Sequence, residues 1–243
     1  MKICKTIEDG VASVVEMYRF NIDTDWRYLP AGEGDLCDKL ALNGEEYPFF
    51  WWRGDTQISG MTGLAPKRNP CSFKLNRTCS KSEGLDRLLY RELDIAEQML
   101  GSPIKKVMCF RNEPALNMIA TTEKEQVAIF ELAAVLSDET VEQGRHTYWG
   151  TDGMASDRVV SQKIASEAVY LFTEDQKDPE TYNDIFNYMY GLSKTDATKA
   201  ATIVSILLGA IDISDWKAQD AHYRRCMAAA DESTKTGCRK EVL

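Results

Sequence analysis

Between residues 105 and 173 the chain holds six segments of strand character with no helical stretch between them: KKVMCF (105–110), ALNMIATT (115–122), QVAIFELAAVL (126–136), RHTYWGT (145–151), ASDRVVS (155–161) and AVYLFT (168–173). They are rich in β-branched, aromatic or alternating apolar residues, and glycines, charges or short polar turns bound them. Strands that follow one another without helices pair as hairpins and meanders, because a parallel pair needs a long crossover. The block therefore predicts an α+β fold: an open, mainly antiparallel β-sheet with helices packed on one face, rather than a doubly wound sheet.

Helices are expected on both sides of this block. Leu89, Leu93, Ala96 and Leu100 recur at helical spacing over 88–100, and Gly101 follows as a stop. Arg91 and Asp94, three apart, fall on one polar face opposite that stripe. After the strands, residues 179–190, a segment opened by the capping box Ser193-x-x-Asp196, and a segment running to Ala230 predict three helices. The middle one is apolar almost all round over 200–211, and residues beyond Asp231 should fray. The expected division is an α+β domain over 1–192 and a helical C-terminal extension over 193–243 packed on it. At the start, Ile3 and Ile7 predict a short helix stopped by Gly10, followed by a strand over 11–20; Pro30, Gly32, Gly34, Gly44 and Pro48 predict a long loop.

Tyr47, Phe49, Phe50, Trp51 and Trp52 form an aromatic cluster that cannot all face one core from a strand. It serves either as a packed interface or as a platform on which a sugar or nicotinamide ring stacks. The glycine-rich segment that follows (53–70) ends in Lys67 and Arg68, which with Lys74, Arg77 and Lys81 make a basic stretch, either a solvated loop or a place for an anionic ligand.

Composition excludes several classes. A net charge of −9 disfavours nucleic acid and anionic lipid as partners. No apolar run reaches membrane-spanning length, and the first ten residues have no signal-peptide core, so a cytoplasmic protein is expected. Seven scattered cysteines without a Cys-x-x-Cys pair read as reduced thiols.

A dinucleotide-binding half would show a strand, then Gly-x-Gly-x-x-Gly opening a helix, then an acidic residue about twenty positions on. No segment fits, and neither Gly-x-Ser-x-Gly nor His-Glu-x-x-His occurs. The two histidines, His146 and His222, read as a satisfied sheet residue and as a packed or solvent-facing helix residue. No metal site is assigned.

The helix RELDIAEQMLGSPIKKV (91–107) and the strands after it, through ELAAVL and GTDGMASDRVV to VYLFTED, resemble the C-terminal domain of the Gfo/Idh/MocA oxidoreductases, the glucose-fructose oxidoreductase and inositol dehydrogenase family. The loop DTQISGMTGLAPKRNP resembles one branch of it, and the resemblance runs over 2–192. It implies a usual chain in which a Rossmann domain precedes an open sheet that binds a sugar or cyclitol and forms dimers. Family members carry Asp-x-x-x-His-x-x-Asp on this helix, the histidine and last aspartate meeting the reacting hydroxyl. Arg87, Arg91 and Asp94 stand at those positions here, so only Asp94 keeps its type, and a guanidinium cannot act as a general base near neutral pH. The family's lysine, in a Glu-Lys-Pro turn of the Rossmann domain, has no counterpart in these residues.

These readings lead to the substrate-binding and dimerisation domain of a sugar or cyclitol oxidoreductase, not a self-sufficient dehydrogenase. Asp94 is the catalytic candidate, and Arg91, Trp51, Trp52, Lys67 and Arg68 are the substrate-binding ones, converging where the helix meets the indoles and the basic loop. The alternative is a non-catalytic sugar-binding or assembly module derived from such an enzyme. No cofactor is expected on this chain alone, and NAD(P) only with a Rossmann partner chain. A homodimer through the exposed sheet face and a small sugar-like ligand complete the expected partners.

Overall fold

A computed structural model describes residues 3–138, 143–157, 169–171, 189 and 191–243. The side chains of Thr56, Gln57, Leu64, Lys67, Arg68 and 169–171 lie outside that description, as does the helix expected over 179–190. In chain order the elements are α1 (Ile7–Tyr18), β1 (Trp26–Leu29), β2 (Lys39–Leu42), β3 (Glu45–Pro48), α2 (Thr56–Leu64), β4 (Pro70–Ser80) and α3 (Leu85–Leu100). There follow β5 (Ile104–Asn112), β6 (Ala115–Thr122), β7 (Val127–Leu136), β8 (Gln143–Gly150), β9 (Gly153–Ser156), β10 (Val169–Leu171), α4 (Lys194–Leu207), α5 (Trp216–Thr236) and β11 (Lys240–Glu241). The chain divides into two units, Met1–Ser59 with Asp175–Ala218 and Gly60–Glu174 with Gln219–Leu243.

In the first unit, α1 replaces the helix-then-strand expected across Gly10. Thr6 and Asp9 form a reciprocal capping box, and Ile7, Val11 and Val14 then bury one face at helical spacing. Gly10 does not stop the helix. A Cβ there would lie 2.8 Å from Leu192 Cδ1 and 3.2 Å from Ala200 Cβ, so the glycine serves close packing against α4. That helix begins as expected, the Ser193 hydroxyl accepting the Asp196 amide at 3.1 Å.

The loop expected over 30–48 instead contributes to a three-stranded antiparallel sheet, β1-β2-β3. Asn43-Gly44 makes the β2–β3 turn with φ of 50° and 84°, the pair of positive values a tight two-residue hairpin requires. The aromatic run after it leaves strand geometry: Trp51–Gly54 form a 3-10 turn. Phe49, Phe50 and Trp52 can therefore all be buried, and the Phe50 ring packs 5.0 Å from that of Trp216.

The second unit contains the expected sheet, eight strands in the order β10-β9-β8-β4-β7-β6-β5-β11. Its pairings are antiparallel except β4 with β7 and β9 with β10. Central β4 lies in the stretch read as basic, where Phe73, Leu75 and Cys79 are buried while Lys74 and Asn76 point the other way. Helix α3 packs against β4, β6 and β7. The tail expected to fray is ordered: α5 runs to Thr236, Lys240 and Glu241 pair with Val107 and Lys106, and Ser233 Oγ accepts the Cys109 amide at 2.9 Å. These contacts satisfy the open hydrogen-bonding edge of β5. On the sheet face away from α3, Phe110, Ile119, Val135 and Trp149 are 40–56% exposed, each on a different strand. Among the described residues no helix is long and apolar enough to cross a membrane.

Candidate functional site on helix α3

The amphipathic pattern of α3 predicts a polar face turned to solvent, but Arg91, Glu92 and Asp94 are buried with the leucines. The polar face is covered because α5 meets it with polar groups of its own. Tyr223 donates its hydroxyl to Asp94 Oδ1 at 2.9 Å, Tyr90 donates to Asp220 at 2.5 Å, and Glu97 Oε1 lies 2.6 Å from His222 Nε2. Asp94, the candidate acid or base, is fully buried. Arg91 reaches Glu83 at 3.3 Å and Glu92 at 3.2 Å.

On the sheet side of α3 lies a constellation that sequence reasoning missed. His146, read as a satisfied sheet residue, is fully buried between two carboxylates, Nε2 at 2.7 Å from Glu92 and Nδ1 at 2.7 Å from Asp157. Its ring stacks on Phe73, and Arg77 approaches both acids. Burial alone would raise the Glu92 pKa, but His146, with Arg77 and Arg91, outweighs it and holds the carboxyl at about 2. Burial likewise disfavours the charged forms of His146 and Asp157. Yet the neighbouring Glu92 leaves the imidazole pKa raised, and the bond from His146 leaves that of Asp157 lowered. The sequence signal was slight: His146 and Tyr148 share the inward side of β8, so a titratable ring had to be buried.

The other candidates fall elsewhere. Trp51 and Trp52 belong to the first unit; Trp52 is 3% exposed and edge-on to Trp51, while Lys199 Nζ sits 5.6 Å from the Trp51 ring. Lys67 and Arg68 follow α2 in a 3-10 turn, and their side chains lie outside the described residues. The basic stretch around them is neutralised in part, Lys74 pairing with Glu131 at 2.9 Å and Arg77 with the buried acids. In the first unit, a groove of about 500 Å³ is lined by Thr24, Leu42, Asn43, Glu45, Tyr47 and Ile213, of which Tyr47 belongs to the aromatic cluster.

Comparison with solved structures gives the same architecture. A myo-inositol dehydrogenase from Corynebacterium glutamicum matches with a TM-score of 0.56 at 13% identity, over 80% of this chain and 63% of that one. A scyllo-inositol dehydrogenase from Lactobacillus casei, solved with NAD(H) and scyllo-inositol, matches at 0.53 and 14% identity, over 79% of this chain and 63% of that one. An oxidoreductase domain protein from Kribbella flavida matches at 0.57 and 13% identity, over 80% and 66%. No protein-family model and no curated protein matches the sequence. The chain spans less than two thirds of the length of these three proteins, and over that span it shares their fold.

Proposed function

We propose that this chain is the substrate-binding and dimerisation domain of a sugar- or cyclitol-type oxidoreductase of Gfo/Idh/MocA architecture, acting in the cytoplasm and drawing its nucleotide-binding half from another chain or segment. One observation carries the reading: an open sheet in the fold of inositol dehydrogenases, helices on one face and four exposed apolar side chains on the other. Exposed apolar side chains spread over one sheet face favour an interface there, and a second copy of the chain is the expected occupant. In this reading Asp94 meets the reacting hydroxyl, Arg91 helps to hold the ring, and NAD(P) enters only with the partner.

A second reading, a non-catalytic sugar-binding or assembly module, is favoured by the burial of Asp94 and Arg91 within bonds to Tyr223, Glu83 and Glu92. Thermal shift separates the two. A ligand at a hundred times its Kd stabilises a fold by about 2.7 kcal/mol, so myo-inositol should raise the melting temperature and NAD(P) alone should not. Stabilisation by micromolar NAD(P) sinks both readings. A polyol shift lost in Asp94→Asn supports the first, and a polyol shift that Asp94→Asn leaves unchanged, or a dimer by light scattering without any polyol shift, supports the second.

A further inference from the structure

The register of α5 places His222 and Cys226 four residues apart on one face, turned toward Glu97 of α3. The three donor atoms all lie within 4.8 Å of one another. Cys226 Sγ is 3.5 Å from His222 Nε2, close to the separation of about 3.6 Å that sulfur and nitrogen keep around a tetrahedral zinc ion with bonds of about 2.3 and 2.05 Å. Glu97 Oε1 stands nearer, 2.6 Å from the same nitrogen, and needs a small side-chain rotation to open to about 3.4 Å.

The surroundings suit such an ion. Glu97 Oε1 also accepts the Ile104 amide at 2.6 Å, which fixes the carboxylate as a supporting bond fixes a metal ligand. Cys226 is fully buried, whereas the His222 and Glu97 side chains keep 18% and 11% exposure, leaving an approach from solvent for the ion and a fourth ligand. The geometry also argues against a nucleophilic triad. Thiol and carboxylate both face Nε2, and a relay needs them on opposite ring nitrogens.

We propose that Glu97, His222 and Cys226 bind one divalent zinc ion, with water as fourth ligand, clipping α5 to α3. A thiolate, an imidazole and a carboxylate form a donor set that prefers zinc to magnesium or calcium. On binding, the Cys226 thiol releases its proton to solvent and the ion takes the place of the hydrogen bond between His222 and Glu97.

The test loads chelator-treated full chain with zinc, removes excess by gel filtration and measures retained metal. Cobalt substitution reports thiolate ligation through its charge-transfer absorption. One equivalent retained by the wild type, a thiolate-to-cobalt band, and loss of retention in both Cys226→Ser and His222→Gln are expected. If Cys226→Ser does not fold, His222→Gln and the wild-type cobalt spectrum decide. No retained zinc, no thiolate band, or retention that either folded variant leaves unchanged overturns the site.

Discussion

The core of the unit built on Met1–Ser59 joins aliphatic side chains such as Val11, Leu40 and Ile203 to a closely fitted aromatic group, Phe49, Phe50, Trp52 and Trp216, and glycines let helices and turns approach. Its principal inner charge pair, Lys199 with Asp38 at 2.7 Å, sits beside Tyr28, whose pKa burial and Asp38 together raise. The sheet unit differs. Beneath its strands lie Glu92, Asp94, His146 and Asp157, each bonded to a partner on another element. The first unit should therefore be sensitive to added volume and the second to the loss of a single charge.

The largest effect expected is that of His146→Ala. It strands two buried carboxylates, and breaking a buried ionic group in this way destabilises by about 3–5 kcal/mol. Urea denaturation giving less than about 1 kcal/mol would show that the cluster is not ionised and would remove the contrast between the units.

Acidity probes the same cluster without a mutation. The raised His146 pKa gives stability that is complete below its ordinary 6.5 and is lost as pH climbs through the raised value. Glu92 and Asp157, both lowered, give stability complete above 4.5 and 3.8 and lost as pH falls through their lower values, about 2 for Glu92. Thermal melts should thus show greatest stability between pH 4.5 and 6.5, and His146→Ala should lack the decline on the alkaline side.

In the first unit, Gly54→Ala tests volume. A Cβ there collides with the Thr202 hydroxyl, which donates to the Trp51 carbonyl at 3.1 Å. Overpacking of this kind costs about 1–3 kcal/mol. A chemical-denaturation midpoint equal to the wild type would mean that this core is looser than its distances imply.

The smallest effect belongs to the open sheet face, where the half-exposed Lys74–Glu131 pair lies. Lys74→Ala should change stability by about 0.2–1 kcal/mol, and less in high salt. A larger loss would extend the charge dependence of the sheet unit from its core to its surface.

Much of the framework was legible. The segments between 105 and 151 became β5 to β8, those at 155–161 and 168–173 meet β9 and β10 at 155–156 and 169–171 while 158–168 and 172–173 lie outside the described residues, Gly101 closed α3 with a φ of 60°, and Ser193 capped α4, because alternation, glycine stops and caps are local features. Asn43-Gly44 was an equally local hairpin signal, passed over among surrounding loop residues. Gly10 and β4 misled for an identifiable reason. Gly10 marks a close helix contact with α4, and the charges of β4 hid the alternation of Phe73, Leu75 and Cys79.

By itself, then, the sequence determined the class of sheet, the helices at its flanks and the lack of a glycine fingerprint for a dinucleotide, all written in neighbouring residues. Tertiary structure alone decided which charges became interior. Helical periodicity places Arg91 and Asp94 on one face but does not say that Tyr223, on a helix more than a hundred residues later, will cover it. The His146 cluster and the Glu97–His222–Cys226 group likewise join side chains from separate elements. Burying a charge is tolerable only where an opposite charge or donor meets it, and such meetings are fixed by long-range packing rather than by local pattern.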